Sequence, residues 1–289
     1  MGKISAFFRL TRIEHSAMLV VAVIAAELIS GGIPKLPVLA LSLIVPVFIS
    51  MASFAINDYF DVESDRANKR FDRPITSGEI SKNTALVISL VCFVVGIGAS
   101  IFINLYAFSI ALSFGLLAML YSYRLKDMLL LGNIYIAFAM AIPFVFGDFV
   151  VSRTLAPGII AIFFIVFLSG LAREIHGMIR DYHGDAKARR TRNLVQHTGK
   201  AKAAQMAFVL YLEAVLISVF VFFFVQPFRY NIYYMMPIAI ADIMLAYVAV
   251  ASVLGGSQRF YRIARNISLA AMGIALLGYL ISSVFYLAI

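Results

Sequence analysis

Charge is scarce in this chain: 13% of its 289 residues are Asp, Glu, Lys or Arg, against 62% that are hydrophobic. A water-soluble domain of this length could not hide so much apolar side chain, so lipid must be the solvent for most of it. Cysteine is nearly absent. Cys92 alone excludes an intrachain disulfide and a thiolate metal cluster, and inside an apolar run it reads as a small core residue. The four histidines, His15, His176, His183 and His197, are scattered and lack the spacing of a zinc site. Met1 to Arg12 carries Lys3, Arg9 and Arg12 but no small-residue cleavage site behind a short apolar core, so no cleaved signal peptide is expected. Nor is any segment between the apolar runs long enough for a soluble domain. A polytopic, all-α membrane protein remains, expected to form one transmembrane domain over residues 1–289.

Apolar windows of spanning length run near 14–32, 36–57, 83–103, 107–123, 129–149, 157–179, 203–225, 232–254 and 266–288. Gly31-Gly32-Ile33-Pro34, Ala156-Pro157-Gly158, Gln226-Pro227 and Gly255-Gly256 punctuate the gaps. Nine spans put the termini on opposite sides of the membrane. The N-terminus and the segments 58–82, 124–128, 180–202 and 255–265, counted with Arg173, then hold 21 of the 24 Lys and Arg, all but Lys35, Arg153 and Arg229. The positive-inside rule makes that face cytoplasmic, with the C-terminus external, in a multi-pass cell-membrane protein. The net charge of +9 thus belongs to a membrane face, and no nucleic-acid partner is expected.

The acids gather at the same face, which the positive-inside rule does not demand. Eleven of the 15 Asp and Glu lie there; Glu27, Asp148, Glu213 and Asp242 are the exceptions. Both signs accumulating together indicate a charged ligand held with its counter-ion, whereas a purely basic face would suggest anionic headgroups.

Two acidic ladders sharpen that reading. Asn57, Asp61 and Asp65 are spaced four apart and share one helical face. Glu174, Asp181 and Asp185 repeat the pattern at i, i+7 and i+11 at the end of another apolar run. An Asp in mid-bilayer costs about 2.5–3.5 kcal/mol on insertion scales, so such rows are not retained by accident. Carboxylates on adjacent turns repel unless a cation lies between them, and hard oxygens with an amide carbonyl suit Mg²⁺. Arg66, Arg70 and Arg73 offer forked donors to phosphate oxygens the metal leaves uncovered. Tyr123 and Lys126, three apart at a helix end, are placed to point the same way. Facing ladders would hold two or three Mg²⁺ around a diphosphate and turn a poor leaving group into a good one.

These residues resemble the UbiA superfamily of intramembrane prenyltransferases. Asn57-Asp58-x-x-Asp61-x-x-x-Asp65 is similar to that family's first aspartate-rich motif, and Asp181-x-x-x-Asp185 to its second. Asp72-Arg73-Pro74-Ile75-Thr76-Ser77-Gly78 resembles the loop after the first motif, and Tyr123-x-x-Lys126 its Tyr/Lys pair. The resemblance implies nine helices around a central cavity with cytoplasmic cap loops. It also implies Mg²⁺-dependent ionisation of an allylic isoprenyl diphosphate, such as geranyl or geranylgeranyl diphosphate, and prenyl transfer to a lipophilic acceptor with release of diphosphate.

Carried over, Asn57, Asp61, Asp65, Asp181 and Asp185 are metal-site residues, and Asp58, Asp61, Asp65, Asp181 and Asp185 form the catalytic carboxylates. Asp58, about 100° round the helix from Asn57, is expected to orient a basic neighbour or the acceptor. Arg12, Arg66, Arg70, Arg73, Tyr123 and Lys126 would hold the diphosphate, with Glu174 and Arg180 supporting from behind. Relatives often carry an Arg-Pro pair where this chain has Arg12-Ile13, without the proline.

A transporter or cation channel is the main alternative, since intramembrane acids also suit an ion pathway. Against it, the charges cluster at one face and no inverted repeat relates the halves. A CDP-alcohol phosphotransferase would begin its motif Asp-Gly, which does not occur in that order here. The acceptor is open between quinone or aromatic precursors and glycerol ether lipids.

Overall fold

The computed structural model describes residues 2–128, 130–188 and 194–288, with residues 3, 183–188 and 288 described in backbone only. The helices are α1 (Lys3–Thr11), α2 (Ser16–Ser30), α3 (Leu36–Ala67), α4 (Lys82–Ile101), α5 (Leu105–Tyr123), α6 (Leu131–Val151), α7 (Pro157–Ala188), α8 (Leu194–Thr198), α9 (Lys200–Phe224), α10 (Ile232–Val253) and α11 (Gln258–Ala288). Short 3-10 turns cover Ile13–His15 and Leu125–Asp127. Among the described residues, nine helices, all but α1 and α8, are long and apolar enough to cross a membrane, α2 being counted with the 3-10 turn that leads into it. That is the count the hydropathy windows predict, and the described residues contain no strand. In lipid a helix satisfies its own backbone, which is why these runs take no other form.

Side chains mark several starts. Ser81 Oγ accepts from the amide of Thr84 at 3.1 Å, Asn104 Oδ1 from Ala107 at 2.8 Å and Asn231 Oδ1 from Tyr233 at 2.9 Å. At the charged end three helices outrun their apolar windows. α3 continues ten residues past 57, α7 nine past 179, and α11 begins eight before 266. Hydropathy stops at the first charges, but backbone hydrogen bonding does not require apolar side chains.

α2 to α6 form one half of the bundle, with Val45, Ile49, Ala52, Phe93, Ala111 and Tyr135 in its core. α7 to α11 form the other, around Ala172, Ile175, Ala207, Tyr211, Leu245 and Ala264. Within the first half α2 packs on α6, and the halves meet where α2 packs on α11 and where α6 packs on α7. Gly147 makes the first of these contacts close: a Cβ there would lie 2.6 Å from the backbone oxygen of Val23. Outward-facing Val94, Leu116, Leu216 and Ile243 are exposed, as a lipid-facing surface requires. Between the halves lies a cavity of about 710 Å³ whose walls, including Ile49, Phe114, Phe144, Ile238 and Leu276, are largely apolar.

Candidate active site

The charged end of that cavity is built on the last three turns of α3. Asn57 lines the cavity and donates from Nδ2 to Asp61 Oδ2 at 2.9 Å, so the first two rungs of the ladder are joined on one face. The other oxygen of Asp61 accepts from Lys126 Nζ. Arg73 Nη1 reaches three carboxylates: Asp58 Oδ1 at 2.9 Å, Asp65 Oδ2 at 2.9 Å and Asp61 Oδ2 at 3.7 Å. Three acids within three turns are therefore held by two cations brought from elsewhere in the chain.

The loop after α3 explains how Arg73 arrives. Lys69, in the left-handed region at φ 55°, and the bond from the Arg70 amide to Asp65 O at 2.9 Å fold the chain back over the helix end. Ile75 and Ile80 anchor the return by burial with Ala6, Leu10, Ala55, Val62 and Ala85. α1, which the hydropathy windows miss because it is short and half polar, thus forms part of this cap. Its Arg9 bonds Asp72 O at 3.2 Å and pairs with Glu79. That guanidinium, with the Ser77 hydroxyl, holds the Glu79 carboxyl below its ordinary pKa.

Arg12 closes α1 in the left-handed conformation, φ 46° and ψ 47°, uncommon for a residue other than glycine. From there its Nη2 donates to Asp58 Oδ1 at 3.0 Å. Asp58 is 1% exposed and is shared by two guanidinium groups.

Of the remaining predicted diphosphate contacts, Arg70 turns aside to grip Asp72 through Nε and Nη2, each at 3.0 Å. That fork lowers the Asp72 pKa to about 2. Arg66 is exposed. Tyr123 does not accompany Lys126: its ring is 66% exposed and packs edge-on against Phe60, centroids 5.7 Å apart. The helix ends at Tyr123 and the chain tightens into a 3-10 turn, so the two side chains lose the common phase that a continuous helix would give them.

The second acidic row lies on α7, and α2 and α6 each pack on both α3 and α7. Asp181 is half exposed, 48% at its side chain, and is forked by its neighbour Arg180 at 2.7 and 2.6 Å. The Asp185 side chain lies outside the described residues. Glu174 does not join Asp181; its Oε1 accepts from Arg173 at 3.2 Å and from Arg265 at 3.1 Å. Sequence reasoning missed Arg265, because the last apolar window starts one residue after it. The spacing Arg259-x-x-Arg262-x-x-Arg265 was the available signal that α11 begins earlier. The other acids are dispersed: Glu27 and Asp148 are fully buried, Glu213 is exposed on α9, and Asp242 lines the cavity and accepts from Ser218 Oγ at 2.5 Å.

Acids and bases thus cluster on α3 next to Asn57 and Arg12, which line an apolar cavity, an arrangement suited to holding an anionic head with its tail in the hydrocarbon. Residues 18–269 match the family model for the UbiA prenyltransferase family. The chain belongs to that family. This UbiA protein is 36% identical over 277 residues to digeranylgeranylglyceryl phosphate synthase of Archaeoglobus fulgidus, covering 96% of this chain and 94% of the relative. It is 34% identical to the synthase of the same name from Methanoregula boonei, covering 84% of each. Its backbone matches a solved structure described as digeranylgeranylglyceryl phosphate synthase in membranes, with TM-score 0.84, 27% identity, and 99% and 100% coverage of the two chains. It shares its fold with a UbiA homologue from Archaeoglobus fulgidus bound to GPP and Mg²⁺, with TM-score 0.65, 20% identity, and 95% and 99% coverage. The UbiA chain is a multi-pass membrane prenyltransferase, and the transporter alternative finds no support in these likenesses.

Proposed function

We propose that this chain transfers a geranylgeranyl group from its diphosphate to a glyceryl phosphate lipid that already bears one, the product for which its curated relatives are named. It works as one transmembrane domain over residues 1–289, with the ladder end cytoplasmic, in keeping with the 21 of 24 basic residues on that side. One observation carries the reading: Asp61, on the ladder whose first rung lines the cavity, is already matched by Lys126 and Arg73.

Mg²⁺ fits this set of donors. Among the described residues no three His, Cys, Asp or Glu close into a metal cage, and Mg²⁺ does not ask for one, being held by one or two carboxylates with substrate phosphates and water. Asn57, Asp61 and Asp65, with Asp181 and Asp185 opposite, would hold it. When bound, the ion neutralises charge gathering on the departing diphosphate.

The chain's own groups perform the rest. Lys126 and Arg73 offer N–H donors to the diphosphate as the allylic C–O bond breaks and the electron pair leaves with oxygen. Arg12 and Asp58 keep Arg73 aimed. The apolar cavity shields the allylic cation from water, and Phe114, Phe144 and Tyr135 on its wall present π faces to it. The acceptor's hydroxyl oxygen then forms the new C–O bond and passes its proton to the released diphosphate.

The test is direct. Purified protein with Mg²⁺ and geranylgeranyl diphosphate is given geranylgeranylglyceryl phosphate or a quinone precursor, and products are identified by mass spectrometry. Prenylation of the glyceryl phosphate is expected; transfer to the aromatic acceptor alone would overturn the acceptor assignment.

A further inference from the structure

Among the described residues two guanidinium side chains line the cavity, those of Arg12 and Arg173. Arg12 is committed to Asp58 at the ladder. Arg173 lies on α7 eight residues before Asp181, about 12 Å further into the bundle. Its Nη1 bonds Glu174 Oε1 at 3.2 Å and its Nε the backbone oxygen of Arg265 at 3.4 Å. Nη2 makes no hydrogen bond among the described residues.

Glu174 is shared. Arg265 Nη2 donates to the same oxygen at 3.1 Å, so two guanidinium groups face one carboxylate and a positive charge is left over in the cavity wall. The arrangement is built into the backbone. Gly177 lies one turn along α7, and a Cβ there would come 3.3 Å from Arg265 Cζ; its bare surface lets the Arg265 guanidinium lie against the helix. An unmatched cation beside an apolar chamber is costly unless an anion joins it.

We infer that Arg173, positioned by Glu174 and Arg265, seats the phosphate of the acceptor lipid. The inference rests on the phosphorylated acceptor proposed above. A guanidinium fork matches phosphate oxygens in pairs. The acceptor also needs a seat of its own, because at the ladder its phosphate would compete with the diphosphate for Lys126 and Arg73. Separate seats hold both anions while the acceptor hydroxyl approaches the allylic carbon.

The experiment uses the full chain in lipid nanodiscs with Mg²⁺, geranylgeranyl diphosphate, and either geranylgeranylglyceryl phosphate or the same lipid without its phosphate. Arg173→Met is expected to raise KM for the phosphorylated acceptor about 10- to 100-fold, the value of a charge-assisted contact. It should leave KM for the prenyl diphosphate within about twofold and abolish the preference for the phosphorylated lipid. Arg173→Lys restores part of that preference. Arg265→Met moves the acceptor KM in the same direction, and the double variant is no worse than Arg173→Met, as expected of a positioning residue. An increased KM for the diphosphate alone, or an intact preference for the phosphorylated lipid in Arg173→Met, overturns the inference. Failure of the wild-type protein to use the phosphorylated lipid at all would instead sink the acceptor reading, before any variant is compared.

Discussion

Arg73 Nη1 lies 2.9 Å from Asp58 Oδ1, tying a loop to the helix that precedes it through a carboxylate with almost no contact with water. Arg12 meets the same oxygen at 3.0 Å. The loop, the N-terminal helix and the ladder therefore share one electrostatic fastening.

Removing that fastening should weaken the fold as well as the chemistry. Asp58→Leu leaves Arg12 and Arg73 without their common acceptor, and breaking a buried pair costs about 3 kcal/mol. Chemical denaturation in detergent should show an earlier midpoint, and an unchanged midpoint would mean that the cap is held by apolar packing alone.

Asp61 and Asp181 are expected to be indispensable in a different way. Asp61→Asn and Asp181→Asn should each reduce radiolabelled prenyl transfer by about 100-fold or more with Mg²⁺ present, the scale of losing a principal electrostatic contact in a transition state. Full activity in either variant removes that residue from the proposed metal site.

The sequence pairs Tyr123 with Lys126, but the structure separates them. Lys126→Met should lower kcat by about 100-fold, whereas Tyr123→Phe should stay within about threefold of wild type. Equal losses would place the Tyr123 hydroxyl at the diphosphate after all.

The Arg70–Asp72 pair within the loop should hold over the working pH range. Asp72 has its pKa lowered to about 2 by the Arg70 fork. The stabilisation from this pair is fully present above the ordinary carboxylate range near 4 and is lost only as pH falls through about 2. Limited proteolysis of residues 68–81 should therefore give the same rate from about pH 8 to 5; faster cleavage at the acid end would assign the loop's order to another group.

Gly147 sets the spacing of two cavity walls. Gly147→Leu would drive a side chain into the backbone of α2, where even a Cβ would be 2.6 Å from Val23 O, at a cost of about 1–3 kcal/mol. A lowered melting temperature is expected, and an unshifted one would show that α2 and α6 can part freely.

The spans and the first ladder were legible because each depends on local pattern: apolar length for the helices, and four-residue spacing for Asn57, Asp61 and Asp65. Asp58 could also be read from its phase on the helix. What escaped depends on contacts distant in sequence or on a break in periodicity. Arg265 pairs with a residue 91 positions away, and no local pattern announces that. Tyr123 was misaligned because the chain leaves α-helical geometry immediately after it. Among its described side chains α1 buries Ala6, Leu10 and Thr11, too few apolar ones to register in a hydropathy window.

α3 has 32 residues and so measures about 48 Å, against about 30 Å of hydrocarbon in a bilayer. The excess carries the carboxylates beyond the oily layer while the same rod stays anchored within it. A diphosphate head and an apolar tail can thus be served by one continuous strut, each remaining in its preferred medium.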